Sequence, residues 1–86
     1  MKFVLLSDII INEPFASSPP RNGKLNRIRN YYNEYGYIDK PLIVNRNNIL
    51  LDGYTRYLVL KENNEKYATV KVVKYIPKRK EVKYEL

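Results

Sequence analysis

The residues best suited to chemistry lie in one stretch, Leu50-Leu51-Asp52-Gly53-Tyr54-Thr55-Arg56. An apolar run ends at an Asp-Gly pair, and an arginine follows three residues past the glycine. If a helix starts after Gly53, its first backbone N–H groups and the Arg56 guanidinium converge on one spot. That spot suits a phosphate or another anion. The alternative makes Arg56 an ordinary surface arginine.

The rest of the composition narrows what such a site can do. There is no cysteine and no histidine. Disulfides, thiolate metal sites and thiol nucleophiles are excluded, and so are imidazole ligands and bases. Remaining chemistry would rest on carboxylates, tyrosines, hydroxyls, lysines and arginines. Asp52, Glu62, Asp39 and Glu34 are the candidate oxygen ligands for a metal, but no pair of them has the spacing of a metal motif. No catalytic residue and no metal site is assigned.

Sixteen Lys and Arg against nine Asp and Glu leave a net charge of +7. That balance either favours polyanionic partners such as nucleic acid, nucleotides or an anionic surface, or is a solubility charge on a lysine-rich protein. The 86 residues suffice for one compact domain. A domain of that size buries only ~60% of its unfolded surface, so its stability is modest. No stretch is long and apolar enough to span a membrane. The opening Met1-Lys2-Phe3-Val4-Leu5-Leu6 is cut by Ser7 and Asp8 before any small-residue cleavage site. Cytoplasmic is the default location.

The elements that must position the stretch read as follows. Residues 3–7 form a first strand, and Ile9-Ile10-Ile11 is extended. Pro14 to Gly23, with two serines, three prolines and a glycine, reads as a loop without helix or strand. Residues 24–35 are the best helix, with Leu25, Ile28, Tyr31 or Tyr32, and Tyr35 at helical spacing. Asn22 is its expected N-cap and Gly36 its left-handed C′ residue. Its tyrosines read as core and rim packing in preference to a stacking platform. Residues 41–45 and 49–51 form two strands joined by a tight turn at Asn47-Asn48. After Asp52-Gly53, residues 55–60 are rich in β-formers, so a third hairpin strand and a helix fit equally well. Residues 67–75 alternate as a half-buried strand, with Ala68, Val70 and Val72 on one face. Residues 1–77 make the domain, and 78–86 a basic tail or an edge strand.

Three pieces in order resemble a known family: Gly36-Tyr37-Ile38-Asp39-Lys40-Pro41-Leu42-Ile43-Val44, then Asp52-Gly53-Tyr54-Thr55-Arg56, then Val70-Lys71-Val72. They are similar to the N-terminal domain of the chromosome-partitioning ParB proteins, whose superfamily includes sulfiredoxin and the ParB-like nuclease domains. The likeness covers roughly residues 3 to 75. It implies an α+β fold, with a small mixed sheet of about four strands and two main helices, and a helix after Gly53. It also implies that Gly53, Thr55 and Arg56 line a phosphate pocket, with Asp52 and Tyr54 in the same turn and Arg21 and Lys24 within reach. The family's ligand there is a nucleoside triphosphate, with Mg²⁺ in the partitioning proteins.

The departures are specific. Tyr54 stands where sulfiredoxin has its catalytic cysteine, so that activity is excluded. Thr55 stands where partitioning proteins usually have the first of two arginines. No helix-turn-helix domain follows, which marks a stand-alone module or an excised domain. Three readings result. The first is a nucleotide- or phosphate-binding module in a partition or mobile-element context. The second is a basic DNA-binding accessory protein or weak nuclease. The third is a protein-interaction module, or a homodimer, with a vestigial pocket.

Overall fold

The computed structural model describes residues 2–74. The expected tail or edge strand at 78–86, and the last residue of the expected strand, Tyr75, lie outside the described residues. The architecture is α+β, with four strands in one mixed sheet and two main helices.

The sheet is built around strand β4 (Tyr67–Val73). Alternation along it buries Ala68 and Val70 and exposes Tyr67 and Lys71, the pattern of a strand with one covered face. On one side it pairs antiparallel with β1 (Lys2–Leu5), with Val4 opposite Ala68. On the other it pairs parallel with β2 (Leu42–Asn45), with Leu42 opposite Val70. β2 in turn pairs antiparallel with β3 (Leu50–Asp52), giving the order β1-β4-β2-β3. Leu42, Val44, Leu50, Ala68 and Val70 form the sheet's share of the core, completed by Leu6, Ile9 and Leu60.

The β2–β3 hairpin turns on two asparagines. The tight turn is centred on Arg46-Asn47, one residue before the expected Asn47-Asn48 pair: Asn48 N–H donates to the Asn45 carbonyl at 3.0 Å, and Asn48 then takes the left-handed conformation (φ 63°) that leads into β3. Asn45, fully buried, supplies the anchor: its Oδ1 accepts from the N–H groups of Asn47 (2.9 Å) and Ile49 (3.1 Å).

Several details differ from the sequence reading. The first strand, expected over residues 3–7, ends at Leu5, and Leu6–Asp8 is a single 3-10 turn that buries Leu6. A short helix, α1 (Glu13–Ala16), forms where only loop is expected. Proline does not forbid it, because Pro14 sits in the first turn, where no N–H is needed. Phe15 then packs against the core. The long helix α2 (Asn22–Tyr35) also starts two residues earlier than expected, so Asn22 lies inside it. Arg21 takes the cap position and makes no side-chain cap bond, since a guanidinium has no acceptor. At the other end Gly36 (φ 80°) is the left-handed stop, its N–H donating to the Tyr32 carbonyl.

The segment after Gly53 is helical: α3 (Tyr54–Glu62). It packs against α2, and the two contribute the buried side chains Ile28, Val59 and Leu60. Arg29 of α2 forks onto Glu62 of α3 at 2.8 and 3.1 Å, and Tyr32 donates to Glu65. Among the described residues no helix is long and apolar enough to cross a membrane.

Candidate anion site at the start of helix α3

The site begins where β3 ends. Asp52 lies opposite Ile43 across the hairpin, and the chain must leave the sheet at the next residue to start α3. Gly53 does this in a left-handed conformation, φ 98° and ψ 25°. It is also held against β2: a Cβ there would lie 3.0 Å from Leu42 Cδ2 and 3.5 Å from Leu42 Cα. Both the backbone angle and the close approach therefore demand glycine.

Gly53 N–H donates to Asp52 Oδ1 at 2.9 Å, and the Gly53 carbonyl accepts the first helical bond, from Tyr57 N–H at 2.9 Å. The next three N–H groups, of Tyr54, Thr55 and Arg56, find no acceptor among the described residues. They are the unsatisfied donors of a helix start, carrying its partial positive charge. The N-cap is a glycine, so no cap side chain bonds them.

The side chains of the turn are not equally open. Thr55 is buried, at 4% exposure, and Tyr54 is half-buried, stacked between Phe15 (5.3 Å) and Tyr57 (6.1 Å). Asp52 is exposed. Arg56 is half-buried and engaged: Nε donates to Asp39 Oδ1 at 2.6 Å and Nη2 to Asp39 Oδ2 at 3.0 Å. The bidentate bond from Arg56 holds the Asp39 carboxyl below its ordinary value, and the same bond raises Arg56. A carboxylate of the chain itself thus occupies the fork that would read a phosphate.

Asp39 is the residue that sequence reasoning placed elsewhere, among candidate metal ligands. Its position two residues before Pro41, in the linker from α2 to β2, gives no signal of a partner seventeen residues on. Glu62, another of those candidates, is taken by Arg29. Among the described residues no three carboxylates gather into a metal-holding group. The set therefore fits the phosphate part of a nucleotide better than its Mg²⁺. Arg21 and Lys24 stand exposed at the start of α2 and make no hydrogen bond to the turn. A surface cleft between Leu5, Ser7, Tyr57, Lys61 and Tyr67 lies apart from the turn's N–H groups.

No protein-family model matches the chain. A similar curated protein is the uncharacterised protein ORF326b of Acidianus two-tailed virus, 34% identical over 71 residues. The match takes in 83% of this chain but only 21% of that protein. Two solved structures of a pNOB8-like ParB N-domain superpose with a TM-score of 0.75 each. They are 24% and 21% identical, over 87% and 93% of this chain and 29% of each of theirs. The chain has the fold of those N-domains, and it spans well under half the length of each of these proteins.

Proposed function

We propose that this domain is a phosphate- or nucleotide-binding module whose anion site is the turn from Asp52 to Arg56, acting in a DNA-partition type of context. One observation carries the reading: three unpaired N–H groups at a glycine-capped helix start, with an arginine fork in the same turn. Gly53 makes the left-handed exit that starts the helix and leaves its donors uncapped, and Arg56 reaches the anion by exchanging Asp39 for it. Asp52, Tyr54 and Thr55 shape the turn, and Arg21 and Lys24 add long-range attraction from α2. The context comes from the ParB N-domain fold shared with the pNOB8-like structures.

When bound, a nucleoside triphosphate with Mg²⁺ would bring its own metal and phosphates; the chain's part is to bind and orient them. Calorimetric titration with nucleoside triphosphates, with and without Mg²⁺, tests the proposal. Binding is expected in the wild type and lost in Arg56→Ala. Unchanged binding in that variant refutes the site.

A second reading, a protein-interaction module with a vestigial pocket, is favoured by the Asp39–Arg56 fork itself. It predicts that no anion displaces Asp39, and the same titration separates the two.

A further inference from the structure

We propose that Tyr31, Tyr35 and Tyr37 form a stacking platform for the bases of single-stranded nucleic acid, separate from the anion turn. The three rings touch one another: centroids lie 4.5 Å apart for Tyr31–Tyr35, 6.2 Å for Tyr31–Tyr37 and 6.1 Å for Tyr35–Tyr37. The left-handed Gly36 produces this cluster by reversing the chain, so that Tyr37 folds back onto the last turn of α2.

None of these rings packs against the hydrophobic core, and Tyr31 is the half-buried base on which the other two sit. The core role on this helix is filled by Ile28 and by Tyr32, which packs against the hydrophobic cluster and donates to Glu65. Tyr35 and Tyr37 remain 54% and 59% exposed. A single exposed aromatic needs no explanation, whereas two exposed rings packed on a half-buried third make a contiguous aromatic patch of the kind that marks a binding surface.

Charge selects the occupant. Lys24, Arg27, Tyr31 and Tyr35 lie on one stripe of α2, at i, i+3, i+7 and i+11. Lys24 and Arg27 are exposed, as is Lys40 three residues beyond Tyr37, and none of the three is ion-paired among the described residues. Glu34 is the acidic neighbour on the helix, and Asp39 is neutralised by Arg56. Cations beside open aromatic faces fit a phosphodiester chain whose bases are free to stack. A duplex keeps its bases stacked on one another and offers the rings no face.

The test is fluorescence anisotropy with a labelled oligothymidylate of about twelve nucleotides at low salt. The double variant Tyr35→Ala/Tyr37→Ala is expected to weaken binding about tenfold or more, and Tyr35→Phe/Tyr37→Phe to bind as the wild type does. A duplex of equal length should be insensitive to both. Both side chains are exposed, and matching thermal melts check that the variants fold. Wild-type affinity in the alanine variant overturns the proposal. So does an equal loss in the phenylalanine variant, or an equal tyrosine effect on the duplex. Arg56→Ala, which probes the anion turn, should leave the tyrosine effect intact, so either site can fail without the other.

Discussion

Replacing Asp39 by asparagine separates what Arg56 does for the fold from what it does for a ligand. The pair is bidentate, at 2.6 and 3.0 Å, and its side chains are 12% exposed on Arg56 and 21% on Asp39. Exposed pairs contribute roughly 0–1 kcal/mol, and losing one partner of a buried pair costs roughly 3–5 kcal/mol. This pair lies between those limits, so Asp39→Asn should destabilise the domain by about 1–3 kcal/mol. For a chain of 86 residues each kcal/mol moves Tm by about 4–8 °C, so the melt should fall by roughly 5–20 °C. The same free energy is what an incoming phosphate must give up in the wild type when it takes Arg56 from Asp39. Freed of that cost, the variant should bind a nucleoside triphosphate about 5- to 150-fold more tightly, since about 1.4 kcal/mol is a factor of ten. Calorimetric titration measures the affinity, and melts with and without ligand measure the coupling: ligand should recover more Tm in the variant than in the wild type. A variant that melts lower yet binds no more tightly refutes the reasoning and leaves Arg56 a strap between α3 and the linker before β2.

The acid limb gives a second check on the same pair. The Arg56 bond lowers the folded-state pKa of Asp39 below its unfolded value, so the pair's contribution is complete above the unfolded value of ~4 and is lost as pH falls through the lowered one. The stability gap between wild type and Asp39→Asn should therefore be constant near neutrality and close below about pH 4 in urea titrations; a gap that closes between pH 6 and 8 would contradict it. Gly53→Ala should cost about 1–3 kcal/mol by urea unfolding, because the left-handed backbone and the 3.0 Å approach to the fully buried Leu42 side chain both oppose a Cβ. Asn45→Ala should also cost about 1–3 kcal/mol, since it strands the N–H groups of Asn47 and Ile49 that hold the hairpin turn.

Much of the fold was legible because it rests on local rules. The α2 periodicity, the Gly36 stop, a hairpin between β2 and β3 (its turn one residue earlier than expected) and the alternation of β4 each follow from steric or burial patterns within a few residues. The short helix α1 was hidden because Pro14 breaks a helix interior but suits a first turn, and composition alone does not say which applies. At the candidate anion site, the helix start after Gly53 and the place of Arg56 in its first turn were legible from the Asp-Gly pair and its spacing. The Asp39–Arg56 fork was not, because it joins the linker after α2 to the first turn of α3, and only the tertiary arrangement brings them together. The tyrosines show the same limit: helical spacing cannot tell Tyr32, which faces the core, from Tyr35, which the turn at Gly36 leaves outside.

The ambiguity after Gly53 was resolved by the sheet, not by local preference. Residues 55–60 are rich in β-formers, and a third hairpin strand would have extended the sheet beyond β3. β4, however, runs parallel to β2, and parallel neighbours cannot be joined by a tight turn; the chain between them must cross over one face. From β2 the chain goes out to the edge at β3 and has to return past β2 to reach β4. α3 makes that return, covering the core with Val59 and Leu60. The sharp left-handed exit at Gly53 serves the crossover, and the unpaired N–H groups of Tyr54, Thr55 and Arg56 follow from the helix start it makes. The anion site proposed at this turn would need no catalytic residues: the topology supplies the donors, and under that proposal Arg56 would exchange Asp39 for the ligand.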